Sequence, residues 1–224
     1  VTAAQRGQRV LLLEKNDRLG KKLLITGKGR CNVTNNCSAQ EVLQNIPRNG
    51  RFLYSAMENH PPRAVMDFFE AQGCPLKTER GNRVFPVSDR SQSILDALRA
   101  ACRGAGVTLR TGRVTEILSQ DGRVTGVAMG SEKIPCNWVI LATGGLSYPT
   151  TGSTGDGYRM AEALGHSVTA CDLSSFCSIF LLLCRLVMIT PINAITPVIA
   201  AEIIVSMCII PHKLIMLYIR LLTT

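Results

Sequence analysis

Arg9-Val10-Leu11-Leu12-Leu13-Glu14 is the stretch on which the fold turns. A short apolar run ending in an acid is the pattern of a buried strand in a parallel sheet. Just before it, Thr2-Ala3-Ala4-Gln5-Arg6-Gly7 reads as the end of a helix stopped by glycine. A helix end followed by a buried strand is the second half of a βαβ unit, so the class is α/β with a parallel sheet. This reading expects a first strand and its turn ahead of residue 1.

Outward from that strand the punctuation continues. Pro61-Pro62 opens a helix from Arg63 to Gln72, with proline in its first turn and Gly73 ending it. Leu76 to Phe85 reads as a hairpin about Gly81-Asn82. A helix from Ser91 to Arg103 turns Ile94, Leu95, Leu98 and Ala101 to one face. Arg113 to Leu118 and Arg123 to Met129 flank Asp121-Gly122, a two-residue hairpin turn. Trp138-Val139-Ile140-Leu141-Ala142 reads as a second buried strand that runs into Thr143-Gly144-Gly145. A glycine-rich turn, Thr151 to Gly157, then leads into a helix through Leu164 that stops at Gly165.

The composition changes near residue 173. The chain has 224 residues, 46% of them hydrophobic, enough to bury a core and to exclude wholesale disorder. All 19 glycines fall between Gly7 and Gly165, and Leu173 to Thr224 holds none. A globular segment of that length would carry about three or four. The expected division is therefore a domain over residues 1–172 and an atypical hydrophobic tail over 173–224. The tail's longest uncharged run, Leu186 to Ala201, has 16 residues and two prolines. A membrane span needs about 20. An out-of-frame extension is the preferred reading, with a membrane-associated tail or a packed core segment as the alternatives. Nine cysteines form no CxxC pair and no metal-ligand spacing, which points to reduced thiols in a cytoplasmic protein and to no metal site.

Three segments can carry chemistry. Glu14 stands where an acid can accept both hydroxyls of a nucleoside ribose, or where a strand-end acid simply meets solvent. The loop from Gly20 to Asn35 packs Lys21, Lys22, Lys28 and Arg30 among Gly20, Gly27 and Gly29. Glycines let a backbone approach a phosphate, and Lys and Arg add charge-assisted hydrogen bonds. A solvated basic loop explains the lysines but not the glycines or the Cys31-Asn32 pair. The loop has no Phe, Tyr or Trp to stack on bases, so a nucleic-acid partner is not expected. Ala142-Thr143-Gly144-Gly145 and Gly152-Ser153-Thr154-Gly155-Asp156-Gly157 are the third segment. Small residues after a strand leave room for a cofactor, and a helix N-terminus can bind an anion, although either cluster can also be a plain turn with Asp156 as a helix cap.

With Leu12-Leu13-Glu14-Lys15 and the run Gly20-Lys21-Lys22-Leu23-Leu24-Ile25-Thr26-Gly27-Lys28-Gly29-Arg30-Cys31-Asn32, the chain resembles the BaiN/aminoacetone-oxidase family of NAD(P)/FAD-dependent oxidoreductases. Gly50-Arg51-Phe52-Leu53-Tyr54-Ser55-Ala56, Arg83-Val84-Phe85-Pro86, Ala142 to Gly145, and Ser147-Tyr148-Pro149 through Gly157-Tyr158 extend the likeness over residues 1 to 171. The resemblance implies an incomplete Rossmann-like FAD-binding domain and flavin-dependent hydride transfer to a small-molecule substrate, with NAD(P)H as the electron donor. It implies that Glu14 holds the adenosine ribose, with Lys15, Gly20 and Lys21 near the adenine end. Gly29, Arg30, Cys31 and Asn32 would line the pyrophosphate and flavin. The backbone of Val114 would meet the adenine, and Thr143, Gly144, Gly145 and Asp156 would border the cofactor's centre. Cys31 is expected to be a close-packed small residue rather than a redox thiol, and no residue is assigned as proton donor.

The chain departs from the family pattern in two places: the glycine-rich GxGxxG turn is not in the sequence, and the likeness ends at Cys171-Asp172. Each departure keeps an alternative open. One is a truncated, non-catalytic fragment that cannot hold FAD, and the other is a membrane-associated flavin-binding module.

Overall fold

A computed structural model describes residues 1–46 and 50–168. The tail from 173 to 224 lies outside the described residues, as do the expectations that fall on it. The chain divides into two compact units, Val1–Gly112 and a second that begins at Arg113.

The first unit starts with α1 (Thr2–Gln5), which ends at Arg6 and Gly7, the glycine at φ 82° as a C′ residue requires. β1 (Leu11–Glu14) follows, then α2 (Lys21–Ile25) and a tight turn over Thr26–Gly29. Part of the expected polar loop is therefore helical. After β2 (Thr34–Asn35), α3 (Ala39–Gln44) is started by a capping box in which Ser38 and Glu41 bond each other's backbone N–H. A 3₁₀ turn (Gly50–Leu53), α4 (Tyr54–Asn59) and α5 (Pro62–Ala71) lead to β3 (Leu76–Glu79) and β4 (Arg83–Pro86). α6 (Ser91–Gly104) and β5 (Thr108–Thr111) complete the unit.

β1 pairs in parallel with β5, Leu11 opposite Thr108 through Glu14 opposite Thr111. β2, β4 and β3 form a separate antiparallel sheet. The core gathers Leu23, Val33, Val65, Phe69, Val84 and Ile94, with Cys31 and Cys74 among them. α6 reaches it with Ile94, Leu95 and Ala97, while Leu98 packs half-buried against the same cluster. The fold is α/β and Rossmann-like, with parallel pairing and antiparallel hairpins. β1 is less buried than its apolar run suggests, Leu11 and Leu12 each being 38% exposed. Its ladder partner among the described residues is β5, along one edge only.

The second unit contains a meander of β6 (Glu116–Gln120), β7 (Arg123–Met129) and β8 (Glu132–Pro135). Asp121 and Gly122, at φ 52° and 74°, make the expected tight turn between the first two. A 3₁₀ turn (Pro149–Thr151) and α7 (Asp156–Ala163) follow, with Gly165 at φ 88° just past the helix.

One expected strand is absent. Residues 138–142 have no ladder partner among the described residues, and Trp138 and Ile140 are 57% and 47% exposed. An apolar run is a strand only where neighbouring strands take up its N–H and C=O groups. Among the described residues no such neighbour flanks this one.

Candidate cofactor site

Glu14 closes β1. Its backbone carbonyl accepts from Gly112 N at 2.8 Å, which fixes the strand end against the residue after β5. Its carboxylate accepts from Asn16 N at 2.9 Å and Asn16 Nδ2 at 2.8 Å, both on Oε1. The other oxygen, Oε2, has no hydrogen bond among the described residues. Lys15 follows directly. Lys21 pairs with Asp17, four residues earlier, at 2.6 Å, and its hydrogen bond and charge hold the Asp17 carboxyl below its ordinary value. Gly20, at φ 70°, holds a left-handed backbone that favours glycine, and a Cβ there would lie 2.9 Å from Leu95 Cδ1. The start of α2 thus sits close on α6.

The Thr26–Asn32 segment is a sequence of reversals. Gly27, Lys28, Gly29 and Cys31 all have positive φ, and Arg30 between them does not. Arg30 N bonds Gly27 O at 3.2 Å, and Cys31 N bonds Thr26 O at 3.1 Å. The Thr26 hydroxyl donates to Leu23 O at 2.7 Å. These amides close the turn on itself. A Cβ at Gly27 would meet Asn32 N at 2.9 Å, so the two ends of the turn are in contact. Gly29 faces open space, and Lys28 is exposed with no ion pair among the described residues.

Arg30 turns away from that open face. Its Nη1 and Nη2 fork onto Glu79 at 2.9 and 3.3 Å, Nη1 also reaches Asp89 at 3.1 Å, and the guanidinium lies 4.0 Å from the Phe85 ring centroid. Lys77 completes the cluster, 2.6 Å from Asp89 and 3.5 Å from Glu79. Glu79 is held below its usual pKa chiefly by the Arg30 hydrogen bond, and Asp89 chiefly by that of Lys77. Cys31 is fully buried, and burial pushes its thiol up to about 11, where a thiolate nucleophile does not form near neutrality. Asn32 is 4% exposed, and its Oδ1 has no partner among the described residues.

In the second unit the two glycine clusters pack on each other. A Cβ on Gly157 would lie 2.5 Å from Thr143 Oγ1, and one on Gly144 would lie 3.0 Å from Ser153 Oγ. Gly155 N bonds Gly145 O at 3.2 Å. Asp156 is not the helix cap, since Gly155 occupies that position at φ 74° and Asp156 is the first helical residue. Its buried carboxylate accepts from Arg113 at 3.2 Å and from Arg159, one turn along. Val114 lies half-buried between β5 and β6.

The expected residues are thus divided. Glu14, Lys15, Gly20, Lys21, Gly29, Arg30, Cys31 and Asn32 belong to the first unit, and Val114, Thr143, Gly144, Gly145 and Asp156 to the second. The partners of Arg30 were not expected from the sequence. Glu79 and Asp89 lie 49 and 59 residues away from it, with no local signal linking them.

A strand-end carboxylate after a parallel strand, followed by a glycine-rich basic turn, defines a nucleotide-binding domain of the Rossmann type. The chain belongs to the HI0933-like protein Rossmann domain family, whose model matches residues 1–197. It is 31% identical over 160 residues to the 3-dehydro-bile acid delta(4,6)-reductase of Clostridium scindens, covering 71% of this chain and 38% of that protein. It is 32% identical over 168 residues to the ribosomal RNA dihydrouridine synthase of Escherichia coli K12, covering 74% of this chain and 41% of that one. The chain therefore spans about two fifths of the length of these curated relatives. Among solved structures it is similar to Thermovibrio ammonificans THI4, at 14% identity and a TM-score of 0.41, over 63% of this chain and 50% of that one.

Proposed function

We propose that this chain supplies the FAD-binding part of a cytoplasmic oxidoreductase that reduces a carbon–carbon double bond in a small molecule, with NAD(P)H as the electron donor. The observation that carries the reading is Glu14. Its Oε1 is pinned by Asn16 and its Oε2 is left for a ribose hydroxyl. Two further features fit the same ligand: open space at Gly29, and the buried, unpartnered Oδ1 of Asn32. In this reading Lys15 and Lys21 supply positive charge near the adenine end. In the second unit the same reading takes Val114, Thr143, Gly144, Gly145 and Asp156 as cofactor contacts, Asp156 being paired with Arg113 and Arg159. Hydride transfer is the chemistry that FAD supplies when bound. The relatives' names support this class of substrate, since making dihydrouridine and reducing a delta(4,6) system both saturate such a bond. Residues 1–172 form the cofactor domain in this proposal.

The test is the visible spectrum of the purified chain after incubation with FAD and gel filtration. Retained flavin supports the reading. A colourless protein that takes up none overturns it for this chain and leaves the non-catalytic alternative.

A second reading takes a base within ribosomal RNA as the substrate. Val1–Gly112 contains 18 Lys and Arg against 9 Asp and Glu, which accounts for the whole net charge of +9. The same unit exposes Phe52 and Tyr54 beside Arg51, next to a depression of about 310 Å³ lined by Leu43, Ile46 and Tyr54. Cations with exposed aromatic rings suit unpaired RNA. Filter binding of ribosomal RNA that weakens steeply with salt favours this reading, and no retention at low salt removes it.

A further inference from the structure

We infer that Arg30 is a positioning residue, which locks the Thr26–Asn32 turn onto the β3–β4 hairpin through Glu79, Asp89 and Phe85 and does not itself meet the cofactor. The inference rests on the proposed function only where it concerns the ligand.

Three observations carry it. Among the described residues, all the polar contacts of the guanidinium run to the hairpin and to Asp89 three residues past it, in a fork onto Glu79 with a third bond to Asp89. Its face is covered by the Phe85 ring at 4.0 Å. A phosphate would have to displace two carboxylates from a group whose planar fork already matches one of them. The turn also needs an external tie. Lys28 and Cys31 hold left-handed backbone at φ 57° and 60° without being glycine, and Asp89 does the same at φ 53°. Such residues persist where their surroundings over-determine them. On either side of Arg30 lie the groups its hold would steady, the open Gly29 and the buried Cys31-Asn32 pair.

A clamp and a phosphate ligand respond oppositely to loss of the two acids. In Glu79→Gln combined with Asp89→Asn, an Arg30 that bound the pyrophosphate would be released from competition, and FAD would bind more tightly. An Arg30 that positions the turn would lose its anchor, and FAD would bind at least ten-fold more weakly. The turn itself has an independent reporter in Cys31. Iodoacetamide labelling followed by peptide mass spectrometry compares Cys31 with Cys74, a second buried thiol of the same core. The double variant, and separately Arg30→Lys, which keeps the charge but lacks the fork, should label Cys31 at least ten-fold faster with Cys74 unchanged.

Unchanged labelling of Cys31 overturns the inference. So does equal acceleration at both cysteines, which signals general loosening, and so does tighter FAD binding in the double variant. If the wild-type chain takes up no flavin, the proposed function fails while the labelling still decides the clamp.

Discussion

Asn16 grips Glu14 by a single oxygen, with its backbone N at 2.9 Å and its Nδ2 at 2.8 Å both donating to Oε1. The carboxylate is thereby oriented before any ligand arrives, and an oriented acceptor loses less freedom on binding. Glu14→Gln keeps the shape but replaces charge-assisted acceptance with neutral bonding, so FAD affinity should fall about ten-fold or more. Asn16→Ala should weaken it less, by removing one of the two tethers. Flavin fluorescence titration of both variants checks this. Wild-type affinity in both would return Glu14 to the role of a solvated strand-end acid.

His60 makes stability depend on pH. It is half-buried at the end of α4, and burial lowers its pKa below 6.5. Between the lowered value and 6.5 the unfolded chain holds the proton more tightly, so stability rises with pH across that window and is lost as pH falls through it. Above 6.5 both states are neutral and the contribution is constant. Melting temperatures from about pH 5 to 7 should show a steeper acid decline in the wild type than in His60→Gln.

Two glycine-to-alanine changes should have opposite signs. In β7, a Cβ on Gly126 would meet Ile134 O at 2.6 Å, a backbone atom of the neighbouring strand that cannot swing away. Gly126→Ala should cost about 1–3 kcal/mol through forced separation of the ladder. Gly104 ends α6 with ordinary negative φ and nothing near its missing Cβ. Gly104→Ala should stabilise by about 0.4–1 kcal/mol, by restricting the unfolded chain. Urea denaturation of both variants measures the contrast.

Ser38 starts α3 through a bond from Glu41 N at 3.2 Å, returned by the Glu41 carboxylate to Ser38 N at 2.7 Å. Ser38→Ala breaks the first of these and leaves an N–H of the first turn without its cap. The expected cost is about 1 kcal/mol. It should appear as faster hydrogen exchange confined to α3.

Features encoded in neighbouring residues were legible in the sequence. Gly7, Pro61-Pro62, Asp121-Gly122 and Gly165 each act within a few residues, and all stand where their chemistry predicts. The Ser38-to-Glu41 box is equally legible from its spacing. What stayed hidden depends on partners far along the chain. β5 is a short stretch, Thr108–Thr111, with no apolar run, and only its pairing with β1 makes it a strand. Residues 138–142 show the converse, an apolar run without a ladder among the described residues. In the site, Glu14 was readable from its position after a strand. The closeness of Gly20 to Leu95 is not written in any local pattern. Glu79 and Asp89 answer the charge of Arg30, and no local pattern connects them to it.

The pairing of Leu11 with Thr108 also sets an order of events during folding. Roughly a hundred residues of chain must be drawn into a loop before that parallel ladder can form, and loop closure of this length is paid before any contact rewards it. The β6–β7–β8 meander needs only its own short turns and can assemble on the timescale of hairpins. The strand that ends at Glu14 is therefore expected among the last parts to settle, after the meander is complete.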